Sequence, residues 1–137
     1  MQRTRQVLTI LWICFFALDV GALLWLRSIG WIASDHFESA LSHLNALYIP
    51  YIGLILAFHF GGIKPNRVAH GVAWLAIAVS LLWNLAVSLP MAGLLFGFGT
   101  IEAAITQVRN IGGGLSWVVA PALGYYFRGA TPKAPKD

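Results

Sequence analysis

The chain has 137 residues, of which 58% are hydrophobic and only 10% are charged. A soluble domain usually carries about 25% charged residues, so the composition excludes an ordinary water-soluble core and indicates a membrane protein. The net charge of +4 comes without a dense basic stretch. That pattern argues against a nucleic-acid partner and is typical of basic residues that meet anionic lipid headgroups.

Four apolar segments follow one another along the chain. The first, at 7–26, reads VLTILWICFFALDVGALLWL, and the others cover 41–60, 71–96 and 104–127. Each approaches or exceeds the roughly 20 apolar residues that cross a bilayer as a helix. A lipid-exposed backbone must satisfy its own hydrogen bonds, and these segments do not alternate polar with apolar residues as membrane strands do.

The predicted fold class is therefore all-α. We expect an integral membrane protein with an antiparallel four-helix transmembrane bundle. Residues 1–129 form its single domain, and residues 130–137, rich in proline and lysine, form a flexible tail. The single Cys14 allows no internal disulfide. A glycine run at 112–114 predicts close helix approach or local unwinding of the last span.

The orientation follows from where lysine and arginine fall. Only Arg27 and Arg109 lie toward one side, and the other side carries Arg3, Arg5, Lys64, Arg67, Arg128, Lys133 and Lys136. Cytoplasmic segments are enriched in basic residues, so both termini are predicted to be cytoplasmic in a plasma (inner) membrane. The connections at 27–40 and 97–103 then face outward.

One polar layer is predicted in the outer half of the bundle. Counting about 1.5 Å per helical residue from each span's end places Asp19, Tyr48, Asn84, Arg109 and Asn110 at similar depth. A carboxylate in lipid is costly and usually has a partner, and Arg109 is a cation that cannot be neutralised. We therefore expect an Asp19–Arg109 ion pair, supported by Asn84 and Asn110. Such a layer could bind a ligand or could simply hold the helices together.

Two histidines flank the second connection. His59 ends the second span and His70 begins the third, so the hairpin would place them at similar depth. They could hold a haem iron or a metal, or could contact headgroups at the interface. A further group in the first connection contains ligand types for zinc, but its spacing is more typical of a solvated loop. It consists of Asp35, His36, Glu38 and His43.

The favoured function is binding or translocation of an ion or a small polar or anionic solute at the polar layer, which is formed by Asp19, Tyr48, Asn84, Arg109 and Asn110. The lipid bilayer is one expected partner, and a second copy or other membrane subunits are another. One alternative is an accessory or anchor subunit of a larger complex, with haem or quinone near His59 and His70. The sequence itself requires no cofactor.

A membrane-embedded enzyme acting on lipid headgroups is the remaining alternative. Glu102, Asp19 or His43 would then act as acid or base. The HExxH, P-loop and GxSxG motifs are absent from the sequence. No serine has a base and an orienting acid at a spacing that would activate it, so an enzyme is less favoured than a binding protein or transporter.

Overall fold

The computed structural model describes residues 2–60 and 70–127, and within them the side chains of 4–60 and 71–127. These residues form four helices, α1 (Gln2–Ser28), α2 (Ser34–Phe60), α3 (His70–Leu95) and α4 (Ile101–Tyr126). The all-α prediction is confirmed. The predicted tail at 130–137 lies outside the described residues.

Three of the helices are long and apolar enough to cross a membrane. They are the segments Thr4–Ser28, Ser34–Phe60 and Gly71–Leu95. This supports the prediction of a helical membrane protein. α4 is equally long, but its first half carries Gln107, Arg109 and Asn110, which lower its hydropathy.

The helix ends are set by local chain chemistry. α1 stops before Gly30, whose φ of 76° favours glycine, and α3 stops before Gly97 for the same reason. Thr100 caps α4 by accepting a hydrogen bond from the backbone N–H of Ala103. α2 begins at Ser34, ahead of the predicted span start at 41, so the last part of the predicted connection at 27–40 is helical. There the Arg27 guanidinium donates to the Ser34 hydroxyl at 2.6 Å.

Each helix packs against two others. α1 packs against α2 and α3, and α4 packs against the same two helices. Arg5, near the start of α1, is buried, and its guanidinium lies over the rings of Phe58 and Tyr126 at 4.8 and 5.4 Å. The first turns of α1 therefore lie beside the last turns of α2 and α4, and the core runs between the four helices.

α4 packs closely against α2 and α3 at Gly112. A Cβ added there would lie 2.8 Å from Leu47 Cδ1 and 3.3 Å from Val87 Cγ2. The indole N–H of Trp83 donates to the Gly112 carbonyl at 3.1 Å. The helix continues through 112–114, so the predicted close approach is present and local unwinding is not.

Gly112→Ala should be less stable than a matched alanine at an open helical glycine, Gly53, where an added Cβ meets nothing within 4 Å. Both substitutions gain up to about 1 kcal/mol of helix propensity. At position 112 an overpacking cost of about 1–3 kcal/mol opposes that gain. Thermal unfolding in detergent measures the difference. Equal midpoints for the two variants would show that Leu47 moves aside without cost.

Candidate ion-binding site at Asp19

Asp19 is buried, with 3% of its surface exposed, at a junction of three helices. Its Oδ2 accepts a hydrogen bond from the Tyr48 hydroxyl of α2 at 2.8 Å and another from the Ser88 hydroxyl of α3 at 2.9 Å. Both bonds end on the same oxygen. Oδ1 is therefore the oxygen left to carry a proton or to meet a cation.

An aromatic cluster fills the core beside Tyr48. Trp12 and Trp83 stack at 4.8 Å between ring centroids, and the Tyr48 ring meets the edge of Trp83 at 5.1 Å. Tyr51 joins them at 4.9 Å from Trp12. Trp12 lies two helical turns before Asp19 on α1, so the cluster occupies the side of the carboxylate toward the N-terminus of α1.

The opposite side of Asp19 is closed by aliphatic side chains. Leu23 of α1, Leu44 of α2 and Met91 of α3 are each at most 2% exposed. Beyond them, at the far end of α1, lies a cavity of about 290 Å³, lined partly by Leu26, His36 and Glu102. Asp19 is thus enclosed between an aromatic cluster and an aliphatic layer, and it does not line that cavity.

A polar stripe runs along the inner face of α3. Ser80, Asn84 and Ser88 follow at intervals of four residues, so they share one face of the helix. Ser80 and Asn84 are at most 1% exposed. The Asn84 amide N–H donates to the Ser80 carbonyl, while Asn84 Oδ1 and Ser80 Oγ have no protein partner among the described residues. Buried polar atoms usually have partners, so these two atoms are candidates to bind a water or an ion.

Two of the predicted layer residues meet directly. Asp19 and Tyr48 form the 2.8 Å hydrogen bond, and Asn84 lies one turn along α3 from Ser88. Ser88 was not singled out as a site residue from the sequence. Its position four residues after Asn84, on the same helical face, is the signal that would have identified it.

The expected ion pair between Asp19 and Arg109 is not formed. Among the described residues, no cation pairs with the Asp19 carboxylate. Arg109 and Asn110 are exposed on the face of α4 that points away from the bundle. The buried face of α4 is instead made by Ala104, Val108, Gly112, Val119, Leu123 and Tyr126. Depth along α4 was used for the expectation, but rotation about the helix axis points Arg109 away from the core.

His59 of α2 forms a hydrogen bond to α1. Its Nε2 lies 2.8 Å from the Thr9 hydroxyl, which itself donates to the Arg5 carbonyl. A hydroxyl has one hydrogen, so His59 Nε2–H is the donor in that bond. The side chain of His70 lies outside the described residues, so the proposed His59–His70 haem pair stays a prediction.

The four candidate zinc ligands of the first connection all lie on α2, and His36 among them contacts α4. His36 of α2 lies 3.3 Å from the Glu102 carboxylate of α4, and Asp35 lies 4.0 Å from the same imidazole. Hydrogen bonds from its own backbone N–H and from Thr100 lower the pKa of the exposed Glu102 carboxyl below its usual value. His43 bonds the Ser39 carbonyl. No group of three metal-ligating side chains converges among the described residues.

The chain was compared with protein families, curated proteins and solved structures. No family model, no curated protein and no solved structure matches it.

Tyr48→Phe should cost more stability than Tyr51→Phe, although both remove one hydroxyl from the same aromatic cluster. Tyr48 donates to a buried carboxylate at 2.8 Å, whereas Tyr51 reaches the Ser116 carbonyl only at 3.5 Å. We expect a loss of about 1–3 kcal/mol for Tyr48→Phe and less for Tyr51→Phe, from denaturant unfolding in detergent.

The same pair of substitutions is then made in an Asp19→Asn background. The excess cost of Tyr48→Phe should shrink there, because a hydrogen bond to a neutral acceptor is weaker than one to a carboxylate. Equal costs for the two tyrosines in the wild-type background would contradict the assigned bond.

Proposed function

We propose that this protein binds a proton or a small cation at Asp19, inside an antiparallel four-helix transmembrane bundle, and exchanges it with one side of the membrane. The observation that carries the proposal is a carboxylate 3% exposed that receives two hydroxyl hydrogen bonds and no salt bridge from a described residue. Removing one partner of a buried ion pair costs about 3–5 kcal/mol because it leaves an uncompensated charge. A proton or a cation bound at Asp19 would remove the cost of leaving its buried negative charge uncompensated.

The chemistry of the site favours a cation over an anion. Three side-chain oxygens meet at this junction, from Asp19, Tyr48 and Ser88, and oxygen donors suit hard cations. An anionic solute would need Arg109 beside the carboxylate, and Arg109 lies on the outer face of α4. The expected solute is therefore a proton or a small cation, and no longer any ion or polar molecule.

The stripe on α3 extends the site toward the other end of the bundle. Asn84 Oδ1 and Ser80 Oγ are buried without protein partners among the described residues, and each could hold a water. Waters along Ser88, Asn84 and Ser80 would connect Asp19 to the inner half of the bundle in a hydrogen-bonded chain. A chain of this kind conducts protons without a wide pore, which suits a bundle whose core is closed by Trp12 and Trp83.

The proton version is tested in liposomes that contain the purified protein and a trapped pH-sensitive dye, with a potassium diffusion potential as the driving force. Wild-type protein should acidify or alkalinise the lumen faster than empty liposomes, and Asp19→Asn should abolish the excess rate. Asp35→Asn is the matched control, because Asp35 is exposed in the first turn of α2. A full wild-type rate from correctly folded Asp19→Asn would remove Asp19 from the pathway.

Replacing the driving ion separates protons from metal cations. Sodium or potassium flux that depends on Asp19, without dye response, would assign the site to that cation. No Asp19-dependent flux or binding of any of the three would leave Asp19 as a purely structural junction and would end the proposal.

A fourth span by α4 and cytoplasmic termini are part of the same proposal. The three apolar helices alone would leave the two termini on opposite sides of the membrane, while a spanning α4 returns the chain to the starting side. The basic residues at both ends favour the cytoplasmic side.

Reporter fusions decide the topology. We expect a fluorescent protein that folds only in the cytoplasm to be bright at either terminus, and alkaline phosphatase, active only outside, to be inactive at both. A fusion inserted after Gly30, in the connection between α1 and α2, should show the reverse pattern. Opposite results at the two termini would show that α4 does not cross.

A further inference from the structure

The exposed face of α4 has a chemistry that lipid does not suit. Arg109, Asn110 and Gln107 are all exposed, near the middle of the first half of the helix. Polar and charged side chains within a membrane span are costly and usually face protein or water. If α4 crosses the bilayer, as proposed above, this face requires a cover.

The residues on this face follow the spacing of a helix–helix seam. Exposed side chains recur at alternating intervals of three and four residues, at Ala103, Thr106, Asn110, Gly113, Trp117 and Ala120. That is the heptad spacing of the contact positions in a coiled coil. A Cβ added at Gly113 or Gly114 would meet nothing within 4 Å in this chain, so both positions leave room for another backbone.

We propose that this seam is the interface between two copies of the chain, which pair through α4 in a symmetric dimer. Two copies inserted in the same orientation are related by an axis along the membrane normal, so like residues meet at the same depth. Asn110, at the middle of the seam, has both a donor and an acceptor and can therefore bond its own copy. Asparagine at such a position hydrogen-bonds across helices in membranes.

Arg109 is compatible with this pairing because it does not lie on the seam. Successive residues are about 100° apart around a helix, so Arg109 flanks the contact rather than meeting its own copy. In a parallel pair, the flanking position faces Gly114 of the second copy, which has no side chain to obstruct a guanidinium. A different subunit with an acid facing Arg109 would pair with the cation, but it would leave the self-complementary Asn110 without its match.

Disulfide cross-linking in native membranes tests the seam. Single cysteines replace alanine on a Cys14→Ala background, because Cys14 is itself exposed. Ala103→Cys and Ala120→Cys lie on the seam, and Ala17→Cys on α1 and Ala78→Cys on α3 are exposed controls elsewhere. After mild oxidation, the seam variants should form a band of twice the chain mass, and the controls should stay monomeric.

The contribution of Asn110 is measured in the same assay. Asn110→Leu should lower the dimer fraction of Ala103→Cys about threefold to tenfold, and Asn110→Gln should retain most of it. Equal cross-linking at Ala17 and Ala103, an unchanged dimer after Asn110→Leu, or a seam band that contains a different protein would each overturn the proposal.

This inference rests on the proposed span by α4 and is independent of the ion at Asp19. Cytoplasmic reporters at both termini together with absent seam cross-links would refute the dimer alone. Opposite-side termini would remove the membrane-spanning premise, and the flux assay at Asp19 would stand apart from both results.

Discussion

The hydrogen-bonded carboxylate of Asp19 is the constraint around which the core is arranged. It joins α1 to Tyr48 of α2 and to Ser88 of α3, so three helices meet at one buried oxygen. Each bond fixes the rotation of a helix about its own axis, which apolar contacts alone specify weakly. The cost of keeping a carboxylate there is what makes the junction a candidate site as well as a structural contact.

The surrounding packing would limit the proposed site to small solutes. Trp12 and Trp83 close one side, and Leu23 and Met91 close the other. In the proposed pathway a proton would reach Asp19 through a few transient waters along α3, whereas a larger solute would have to separate the helices. The orphaned atoms of Ser80 and Asn84 mark where such waters would bind. The same junction therefore links three helices and is also the proposed point of exchange.

The sequence predicted the helices well because their signal is one-dimensional. Long apolar runs, and the similar depth of Asp19 and Tyr48, can be counted along the chain. The Asp19–Arg109 ion pair was wrongly expected because the depth of a residue along its helix does not give its direction around the helix axis. The inner face of α4 is formed by small and apolar residues such as Ala104 and Gly112, and Arg109, one position after Val108, lies about 100° away from that face. Ser88 was missed because its position one helical turn after Asn84 was not used, and a serine by itself indicates a site only weakly.

The proposed exchange requires the Asp19 carboxyl group to bind and release a proton or a cation within the closed core. Infrared difference spectra of the reconstituted protein, recorded as the pH is changed, observe carboxyl protonation directly. We expect a protonated carboxylic acid band that changes with pH or with added cation. This band should be lost in Asp19→Asn and kept in Asp35→Asn. A spectrum without any band assignable to Asp19, unchanged across pH and in the presence of sodium or potassium, would contradict it.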